Sequence, residues 1–564
     1  MSSTGFFSKQ AIVAPPGYNR WRVPPASMAI HLCIGSVYAW SVFNPALVKV
    51  HGVVASAADD WTLSQVVWVF TVAIVFLGLA AAVGGKWLEQ VGPRTVGMLA
   101  AVCWGGGLII GGVGVALHRL ELLYLGYGAI GGCGLGLGYV SPVSTLIRWF
   151  PDRRGMATGL AIMGFGGGAI IAAPLNEALM RTFYRAPQFL GHHSAVQLTT
   201  IEGKRFAQVD GRQREVVLLG SNEVSQLLVP TAEGVYVVGT GHNGAAQTFW
   251  VLGSVYLVVM LAAALSYRIP ATDWHPAGWS PPAAAEGARR MISSGNVDVD
   301  QALHTPQFYL LWLMLCFNVT AGIAVLGVAK TMLSEIFGSS LPSVVDSGFA
   351  VTYVLMASVF NMIGRFFWAS ASDYLGRKQT YAIFFGAGAL LYLAIPWIAQ
   401  RMSVSPSVAW LAAFYAVTMT IFTMYGGGFA TIPAYLADLF GTRYVGAIHG
   451  RLLTAWSTAG VLGPLAITSL RDHAVGRAIH GLSATIPPDK FTAEFGASPS
   501  QLPQLIAAKS VTIAKLLALS PPETPDPYCT LYNTTMYLMA GLLAVALVAN
   551  ALVRPVAARH HLAD

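Results

Sequence analysis

Apolar runs long enough to cross a lipid bilayer recur along the whole chain. A hydrocarbon core about 30 Å thick takes about twenty apolar helical residues, and twelve such runs stand out. Helices suit them because a backbone in lipid must satisfy its own hydrogen bonds. The sequence therefore predicts an all-α integral membrane protein with twelve transmembrane helices. The predicted spans are 27–48, 63–84, 95–117, 121–147, 156–180 and 247–268, followed by 307–330, 347–370, 379–399, 407–437, 445–470 and 531–553.

The balance of apolar and charged residues excludes a soluble globular protein. Hydrophobic residues make up 55% of the 564 residues and charged residues only 10%, whereas soluble domains devote about a quarter to charge. The formal net charge of +8 comes from basic residues scattered between apolar runs, which argues against nucleic-acid binding. We therefore expect a monomer surrounded by lipid, with no nucleic-acid partner.

Neither the cysteines nor the N-terminal residues suggest a metal site or a removable leader. The five cysteines are not paired at zinc or redox spacing, so the sequence predicts no metal site and no cofactor. Residues 1–26 place Arg20 and Arg22 near prolines and lack a small-residue cleavage site after a short apolar core. We therefore expect the first apolar run to be retained as a helix.

A polar stretch rich in proline and alanine divides the chain into two sets of six helices. We interpret it, residues 269–305, as a cytoplasmic linker. A polar insertion interrupts each half, and helix counting places both insertions on the side opposite the termini. The expected ranges are 1–268 and 306–564 for the halves, 185–245 and 471–530 for the insertions, and 216–219 and 235–238 for two short strands in the first insertion.

Basic residues in the short loops predict the orientation. Such residues mark the cytoplasmic side, whereas long loops escape the rule. We therefore expect both termini in the cytoplasm, both insertions outside, and the chain in the plasma membrane or inner cell membrane. The residues on which this depends are Lys86, Arg94, Arg148, Arg153, Arg154, Arg377, Lys378 and Arg443.

The two halves repeat each other. A proline and two glycines of the first half recur 291 positions later in the second half. Repeats of this kind build many secondary transporters, with the substrate site at their interface near the membrane midplane. The matched residues are Pro142, Gly155 and Gly159 with Pro433, Gly446 and Gly450.

The loop after the second helix of each half resembles the signature of the major facilitator superfamily. That signature is a glycine, an acidic residue four positions on, then a glycine and basic residues. The first loop matches it, and the second matches except for Ala369 at the first glycine. The resemblance implies twelve helices in two pseudo-symmetric halves and a charge-bridged gate. Ordinary cytoplasmic loops would explain the arginines alone. The implied gating residues are Gly85, Glu89, Arg94, Asp373, Gly376 and Arg377.

Three further stretches resemble the oxalate/formate antiporter family, which is related to the monocarboxylate transporters. They are residues 35–43 in the first helix, 149–159 after the fourth and 446–450 at the start of the eleventh. The resemblance spans all twelve helices but not the insertions. It implies secondary transport of a small carboxylate anion by alternating access, with proton-coupled monocarboxylate symport as the alternative.

An arginine deep in the eighth predicted helix is the best candidate for binding an anion. Arg365 lies eight residues before Asp373, which places it about 12 Å from the helix end and near the midplane. Charged residues at this depth usually have a functional partner, and a guanidinium suits a carboxylate. Asn361 lies one turn earlier on the same face. The resemblance implies that both residues bind substrate, and an internal salt bridge of Arg365 is the alternative.

Two departures from the related families favour a substrate with one carboxylate. The monocarboxylate transporters that this chain resembles have an aspartate proton carrier where Asn361 stands. Oxalate transporters of the family add a lysine in helix 11, whereas residues 452–470 contain Trp456 but no Lys or Arg. A dianion held by one arginine would keep an unpaired buried charge, at a cost of several kcal/mol. We therefore expect a monocarboxylate or an apolar-tailed acid in preference to oxalate.

Aromatic residues in the central helices are candidates for the rest of the site. Tyr38, Tyr139, Tyr425 and Trp456 lie in predicted helices 1, 4, 10 and 11, where they would form an aromatic box around the substrate. Packing against lipid or neighbouring helices is the alternative for each. His31 in helix 1 is a candidate proton carrier, with a packing histidine as its alternative.

Other functional classes fit the sequence less well. A membrane enzyme needs clustered His, Asp or Glu, and the chain has no HExxH or Walker-type motif and no candidate catalytic residue. A sensor needs a signalling domain, for which the linker and the tails are too short. We therefore expect a small organic anion as the partner and an ion or exchange gradient as the driving force.

Overall fold

Long helices account for most of the molecule. The computed structural model describes residues 5–201, 204–219, 229, 231–272, 274–280, 291–293, 295–345, 347–495, 498–507, 511, 513–521 and 523–562. Among these residues, eleven helices are long and apolar enough to cross a membrane, and an interrupted first helix completes the set of twelve. They are α1 (Val23–Gly35), α2 (Leu63–Val91), α3 (Pro93–Ala116), α4 (Leu120–Trp149), α5 (Arg154–Phe183), α6 (Ala245–Ser266), α7 (Pro306–Phe337), α8 (Ser347–Leu375), α9 (Arg377–Val404), α10 (Val408–Phe440), α11 (Val445–Thr485) and α12 (Asn533–Leu552).

The first span is not the single regular helix predicted for 27–48. The α-helix ends at Gly35, and a 3₁₀ helix continues over Ser36–Val42. The Ser36 hydroxyl donates to the Cys33 carbonyl at 2.6 Å, a local bond that competes with the regular helical pattern. A methyl group at Gly35 would overlap the Phe165 carbonyl, so this glycine lets α1 and α5 touch where the helix changes.

The eleventh span is longer than predicted. It was expected to end at residue 470, but α11 continues through Thr485 and so forms the first part of the insertion 471–530. On this extension Arg471 pairs with Glu335 at the end of α7, and Tyr532 donates to the same carboxylate. The ion pair ties the extension to the body of the second half. The described part of the insertion also has short helices at Pro488–Phe495, Leu502–Ala507 and Ile513–Leu519.

The first insertion folds into an antiparallel sheet in the order β1-β5-β4-β3-β2. The two predicted strands are confirmed, and Val216 pairs with Val237 across them. Val217 and Leu219 pack on Val54, in the loop after α1, so the sheet covers the end of α1 remote from its start. The strands are β1 (Phe189–Gly191), β2 (Leu198–Ile201), β3 (Lys204–Val209), β4 (Arg212–Leu219) and β5 (Gly234–Val237).

Residues 5–22 and residues 553–562 pack on the same face of the molecule. We call it the terminus face, and it also includes the α4–α5 loop and the described linker residues. Arg20 pairs with Asp152 of the α4–α5 loop at 2.6 Å. The Leu562 amide donates to the linker carbonyl of Asn296 at 2.8 Å. These bonds hold the N-terminal segment, the linker and the C-terminal tail over the loops between the helices.

The two halves meet along two matched seams, α5 against α8 and α11 against α2. A methyl group at Gly155 would overlap the Ala369 carbonyl, and one at Gly450 would overlap the Ala81 carbonyl. Small residues permit this close backbone approach between helices in lipid. The repeated glycines seen in the sequence are therefore the contact points between the halves.

Gly450→Ala should lower the thermal stability of the purified protein. Its added methyl group meets backbone atoms that have no room to move, and overpacking of this kind costs about 1–3 kcal/mol. Gly386→Ala is the matched control, because a Cβ there meets nothing within 4 Å and alanine favours helix. Equal melting midpoints for both variants would contradict the assigned seam.

Candidate functional site

Arg365 is fully buried and has no acidic partner among the described residues. Its Nε donates to Asn361 Oδ1 and its Nη1 to the Ile162 carbonyl, each at 3.3 Å. Its Nη2 has no hydrogen-bond partner among those residues. The alternative of an internal salt bridge is therefore not what the structure shows. Asn361 holds the guanidinium in place, and Nη2 remains free for an acceptor.

Glycines on α5 and α10 make room for the guanidinium. A Cβ at Gly166 would lie 2.8 Å from Arg365 Nε, and one at Gly426 would lie 3.1 Å from Arg365 Cγ. Gly166 belongs to the first half and Arg365 to the second. The arginine therefore lies at the interface of the halves, where the repeat predicts the substrate site.

Two phenylalanines border the charge. The Arg365 guanidinium carbon is 5.9 Å from the centroid of Phe165 and 5.4 Å from that of Phe429, within the range of a cation–π contact. Both rings also touch Trp456, with centroid separations of 5.3 Å and 4.7 Å. Sequence reasoning missed both phenylalanines. The available signal was their position beside glycine runs, at Gly164–Gly168 and Gly426–Gly428.

The four predicted aromatic residues lie around the same point. Tyr38 is 5.2 Å from Phe165, Tyr139 is 5.4 Å from Trp456, and Tyr425 is 5.6 Å from Phe429 between ring centroids. The structure thus brings together the candidates from four helices with Arg365. We call this set the aromatic cage: Tyr38, Tyr139, Phe165, Tyr425, Phe429 and Trp456.

The polar atoms of the cage are buried and have no hydrogen-bond partner in the part of the chain that the structure describes. This holds for the hydroxyls of Tyr38, Tyr139 and Tyr425 and for the indole nitrogen of Trp456. The Tyr38 hydroxyl lies close to Arg365 and Tyr425, but neither contact reaches hydrogen-bonding geometry. Each buried unpaired polar group costs about 1–3 kcal/mol. A cluster of free donors around a free guanidinium therefore favours a ligand rich in acceptors.

His31 and His449 lie on either side of Tyr139. Their ring centroids are 5.2 Å and 5.8 Å from that of the tyrosine. Both histidines are fully buried. His31 is in contact with two backbone carbonyls, whereas both ring nitrogens of His449 lack partners.

On the terminus face, Asp373 joins the two halves. Its carboxylate accepts from the amides of Gly155 and Met156, at 2.8 Å and 2.9 Å, and from Arg377 at 2.7 Å. The two amides open α5 of the first half, where a helix favours negative charge. Arg377 also pairs with Asp438 at 2.9 Å. Asp373 therefore links the halves at this face, and Arg377 binds it from within the second half. Both are predicted gating residues.

Glu89 is linked to the second half through an intermediate residue. It pairs with Arg148 of its own half, and Arg148 donates to the Arg443 carbonyl of the other half at 3.1 Å. Lys9 donates to the Glu89 backbone carbonyl at 2.8 Å. Burial lowers the pKa of Lys9, and the positive charge of Arg148 adds to this effect.

The remaining predicted gating residues are separated. Arg94 packs over Phe6 at 5.4 Å instead of joining Glu89. A Cβ at Gly85 would lie 2.7 Å from the Gly446 carbonyl, so Gly85 is a seam contact. Gly376 has a φ of +87°, as has Gly92 in the first half, a conformation that favours glycine. The turn geometry explains the glycine at this position of both loops.

Comparison with known families and proteins gives a consistent result. The family model "Major Facilitator Superfamily" matches residues 32–190 and 217–464. The oxalate:formate antiporter of Oxalobacter formigenes is 25% identical over 452 residues, covering 79% of this chain and 83% of that protein. The apicoplast pyruvate carrier 1 of Toxoplasma gondii is 24% identical over 481 residues, covering 75% and 78%.

Solved structures agree on the fold. The Escherichia coli fucose:proton symporter superposes with a TM-score of 0.53 at 11% identity, over 95% of this chain and 99% of that one. The proton:xylose symporter XylE gives 0.53 at 13% identity, over 94% of each chain. At such identities the likeness concerns the fold alone.

Asp373→Asn should open the terminus face. The change removes the charge that pairs with Arg377 and that accepts from the α5 amides, so the closed arrangement loses differential stability. A cysteine replacing Ser144, which is buried near Gly446, should then react several-fold faster with a thiol reagent. Labelling is read at that peptide by mass spectrometry.

The control for this experiment is Asp472→Asn, because the Asp472 side chain is 75% exposed. It should leave the reaction rate of the Ser144→Cys protein unchanged. Equal rates in both aspartate variants would show that Asp373 does not hold the face closed.

Proposed function

The chain belongs to the Major Facilitator Superfamily of membrane transporters, and on that premise we propose that it carries small monocarboxylate anions by alternating access. The observation that carries the proposal is a guanidinium at the interface of the halves that is buried, unpaired and surrounded by free donors. Members of the superfamily are transporters and not enzymes. The site therefore has to bind and release its substrate without changing it chemically.

A carboxylate is the ligand that best supplies what Arg365 lacks. Leaving a buried charge without its partner typically costs 3–5 kcal/mol. A carboxylate brings one negative charge and two oxygens that accept from several donors at once. Nη2 of Arg365 and the hydroxyls of Tyr38 and Tyr425 are buried without partners among the described residues and would be the donors to such a group.

The cage favours an acid with a small apolar body. Its walls are the rings of Phe165, Phe429 and Trp456, which are at most 1% exposed. A second carboxylate would meet these rings and no second cation, since among the described residues Arg365 is the one Lys or Arg whose charge lies over a cage ring. The names of the relatives, an oxalate:formate antiporter and a pyruvate carrier, support small carboxylates as the class. Within that class we propose monocarboxylates.

Alternating access requires a state in which the terminus face is closed and a state in which it is open. The seams and the charged residues of that face favour one or the other. Asp373 accepts from the Gly155 amide, and Arg377 pairs with Asp373 and Asp438; these bonds support a role for the three residues in keeping the terminus face closed. We propose that this face is cytoplasmic, as the basic loops predict, and that it opens when these bonds break. Gly85 lies in the other seam, where a Cβ on it would be 2.7 Å from the Gly446 carbonyl, and Glu89 is linked to the second half through Arg148.

Arg365→Lys should weaken carboxylate binding strongly although the net charge is unchanged. Lysine cannot reproduce the fork that donates to Asn361 and Ile162 while presenting a further N–H to the ligand. Losing charge-assisted bonds worth about 1.5–3 kcal/mol corresponds to at least a tenfold loss of affinity. Uptake of labelled pyruvate by proteoliposomes, together with quenching of tryptophan fluorescence, measures the effect.

Arg401→Lys is the matched control, because Arg401 is exposed and stacks over Trp397 at 5.6 Å. It should transport normally. Normal affinity in a folded Arg365→Ala protein would refute the assigned site.

Cysteine labelling in intact cells tests the proposed orientation. A cysteine replacing Ser194, in the exposed loop between β1 and β2, should react with an impermeant thiol reagent. A cysteine replacing Gln10, which is exposed on the terminus face, should react only after the cells are permeabilised. The reverse pattern would place the terminus face outside.

A further inference from the structure

A cavity of about 1320 Å³ lies on the terminus face, where the two halves, the N-terminal segment, the linker and the C-terminal tail meet. Binding pockets for small molecules usually measure about 300–1,000 Å³, so a molecule of metabolite size has room here. Lys9, Arg148, Arg154 and Arg443 line this cavity, and no Asp or Glu is among its described lining residues. The cavity therefore favours an anion.

Three of these cations share a single carboxylate. Arg148 pairs with Glu89, which is not itself part of the lining, and Lys9 donates to the backbone carbonyl of Glu89 at 2.8 Å. Arg148 also donates to the Arg443 carbonyl at 3.1 Å. The Arg443 guanidinium lies over Tyr444, 5.3 Å from its ring centroid, and pairs with no described acid. Three positive charges and one negative charge leave an excess of two positive charges.

The fourth cation is already neutralised. Arg154 pairs with Asp438 at 2.8 Å, and Arg377 pairs with both Asp438 and Asp373. These two arginines are thus matched by two carboxylates. The excess positive charge therefore belongs to the other three cations.

The crowding of positive charge affects Lys9. Burial lowers the pKa of its ammonium group, and Arg148 and Arg443 lower it further against the opposing effect of Glu89. A nearby negative charge favours the charged form of such a group. An anion bound in the cavity would therefore relieve repulsion that the chain itself leaves uncompensated.

The linker adds aromatic rings to the same cavity. His275 contacts Trp279 with ring centroids 5.6 Å apart, and Trp274 packs on Trp149 at 4.8 Å. The three linker residues line the cavity, and each is at least partly exposed. Nucleobases stack on aromatic side chains of this kind, and arginine and lysine bind phosphate. The cavity thus offers both kinds of contact that a nucleotide needs.

We propose that this cavity binds a nucleoside phosphate, with the phosphate between Lys9, Arg148 and Arg443 and the base against the aromatic rings of the linker. A phosphate monoester carries about two negative charges at neutral pH, which matches the excess positive charge of the three cations. The site is separate from Arg365 and does not depend on what Arg365 binds.

A ligand at this site holds the halves together. Arg148 belongs to the first half and Arg443 to the second, and the bond between them already joins the halves. A phosphate that accepts from both guanidinium groups adds a second link. Because a ligand stabilises the conformation that it binds better, we expect the nucleotide to slow the opening of the terminus face.

Isothermal titration calorimetry of the purified protein with adenosine monophosphate (AMP) tests the site. AMP should bind, and Arg443→Gln should weaken binding at least about tenfold, because one charge-assisted contact to the phosphate is lost. The backbone carbonyl of residue 443 can still accept from Arg148 in this variant. Arg212→Gln, which changes an exposed arginine of β4, is the matched control and should bind AMP normally.

Trp279→Leu tests the contact with the base. It should weaken AMP binding several-fold, because the base loses a ring on which to stack. Glycerol 3-phosphate has the phosphate of a lipid headgroup but no base, so it should bind more weakly than AMP and equally to Trp279→Leu and to the unmodified protein. Binding of glycerol 3-phosphate as tight as that of AMP would overturn the assignment to a nucleoside phosphate.

The link between the halves is measured in the Ser144→Cys protein. Saturating AMP should slow its reaction with the thiol reagent several-fold, a readout that depends on the proposed opening, whereas the calorimetry does not. AMP binding with an unchanged rate would refute the link. Absence of AMP binding, or equal weakening by Arg443→Gln and Arg212→Gln, would refute the site and leave the proposed carboxylate site at Arg365 untouched.

Discussion

The unpaired charge of Arg365 is the constraint on which the centre of the molecule depends. A guanidinium in the middle of a membrane span is stable only if its surroundings accept its hydrogen bonds or cover it with polarisable surface. The protein does both: Asn361 and the Ile162 carbonyl take two donors, and the rings of Phe165 and Phe429 cover the charge. The Nη2 nitrogen, which carries two N–H groups, is left without an acceptor among the described residues. A ligand that accepts a hydrogen bond from Nη2 would form the interaction that the protein itself does not make.

The contacts of Arg365 come from both halves, so we expect binding at this point to affect how the halves move. Ile162, Phe165 and Gly166 belong to α5, whereas Arg365 belongs to α8. The same two helices form one of the seams, and Asp373 closes that seam at its terminus-face end. At Gly155 and Gly450 a backbone carbonyl of the other half occupies the space that a Cβ would need. Such contacts separate without pulling large side chains out of pockets, which suits the opening that we propose for this interface.

The sequence predicted the helices and the charged residue of the site, but not all of the aromatic residues that line it. The twelve spans follow from hydropathy, because crossing a bilayer requires long apolar runs. The repeat and the depth of Arg365 in its helix follow from residue spacing. Phe165 and Phe429 were missed because hydropathy does not separate an aromatic residue that lines a cage from one that contacts lipid, and only the neighbouring glycine runs mark them in the sequence. The break after Gly35 was missed for a similar reason. It depends on a serine bonding to its own helix and on the approach of α5, and neither leaves a mark in periodicity.

The most direct measurement is the position of a bound monocarboxylate that carries a bromine atom, located by anomalous scattering in crystals of the complex. The account predicts the carboxylate at hydrogen-bonding distance from Arg365 Nη2, about 2.8 Å for a charge-assisted bond, with the bromine among the rings of Phe165, Phe429 and Trp456. A fully occupied ligand elsewhere, with Nη2 of Arg365 still unpaired, would contradict it.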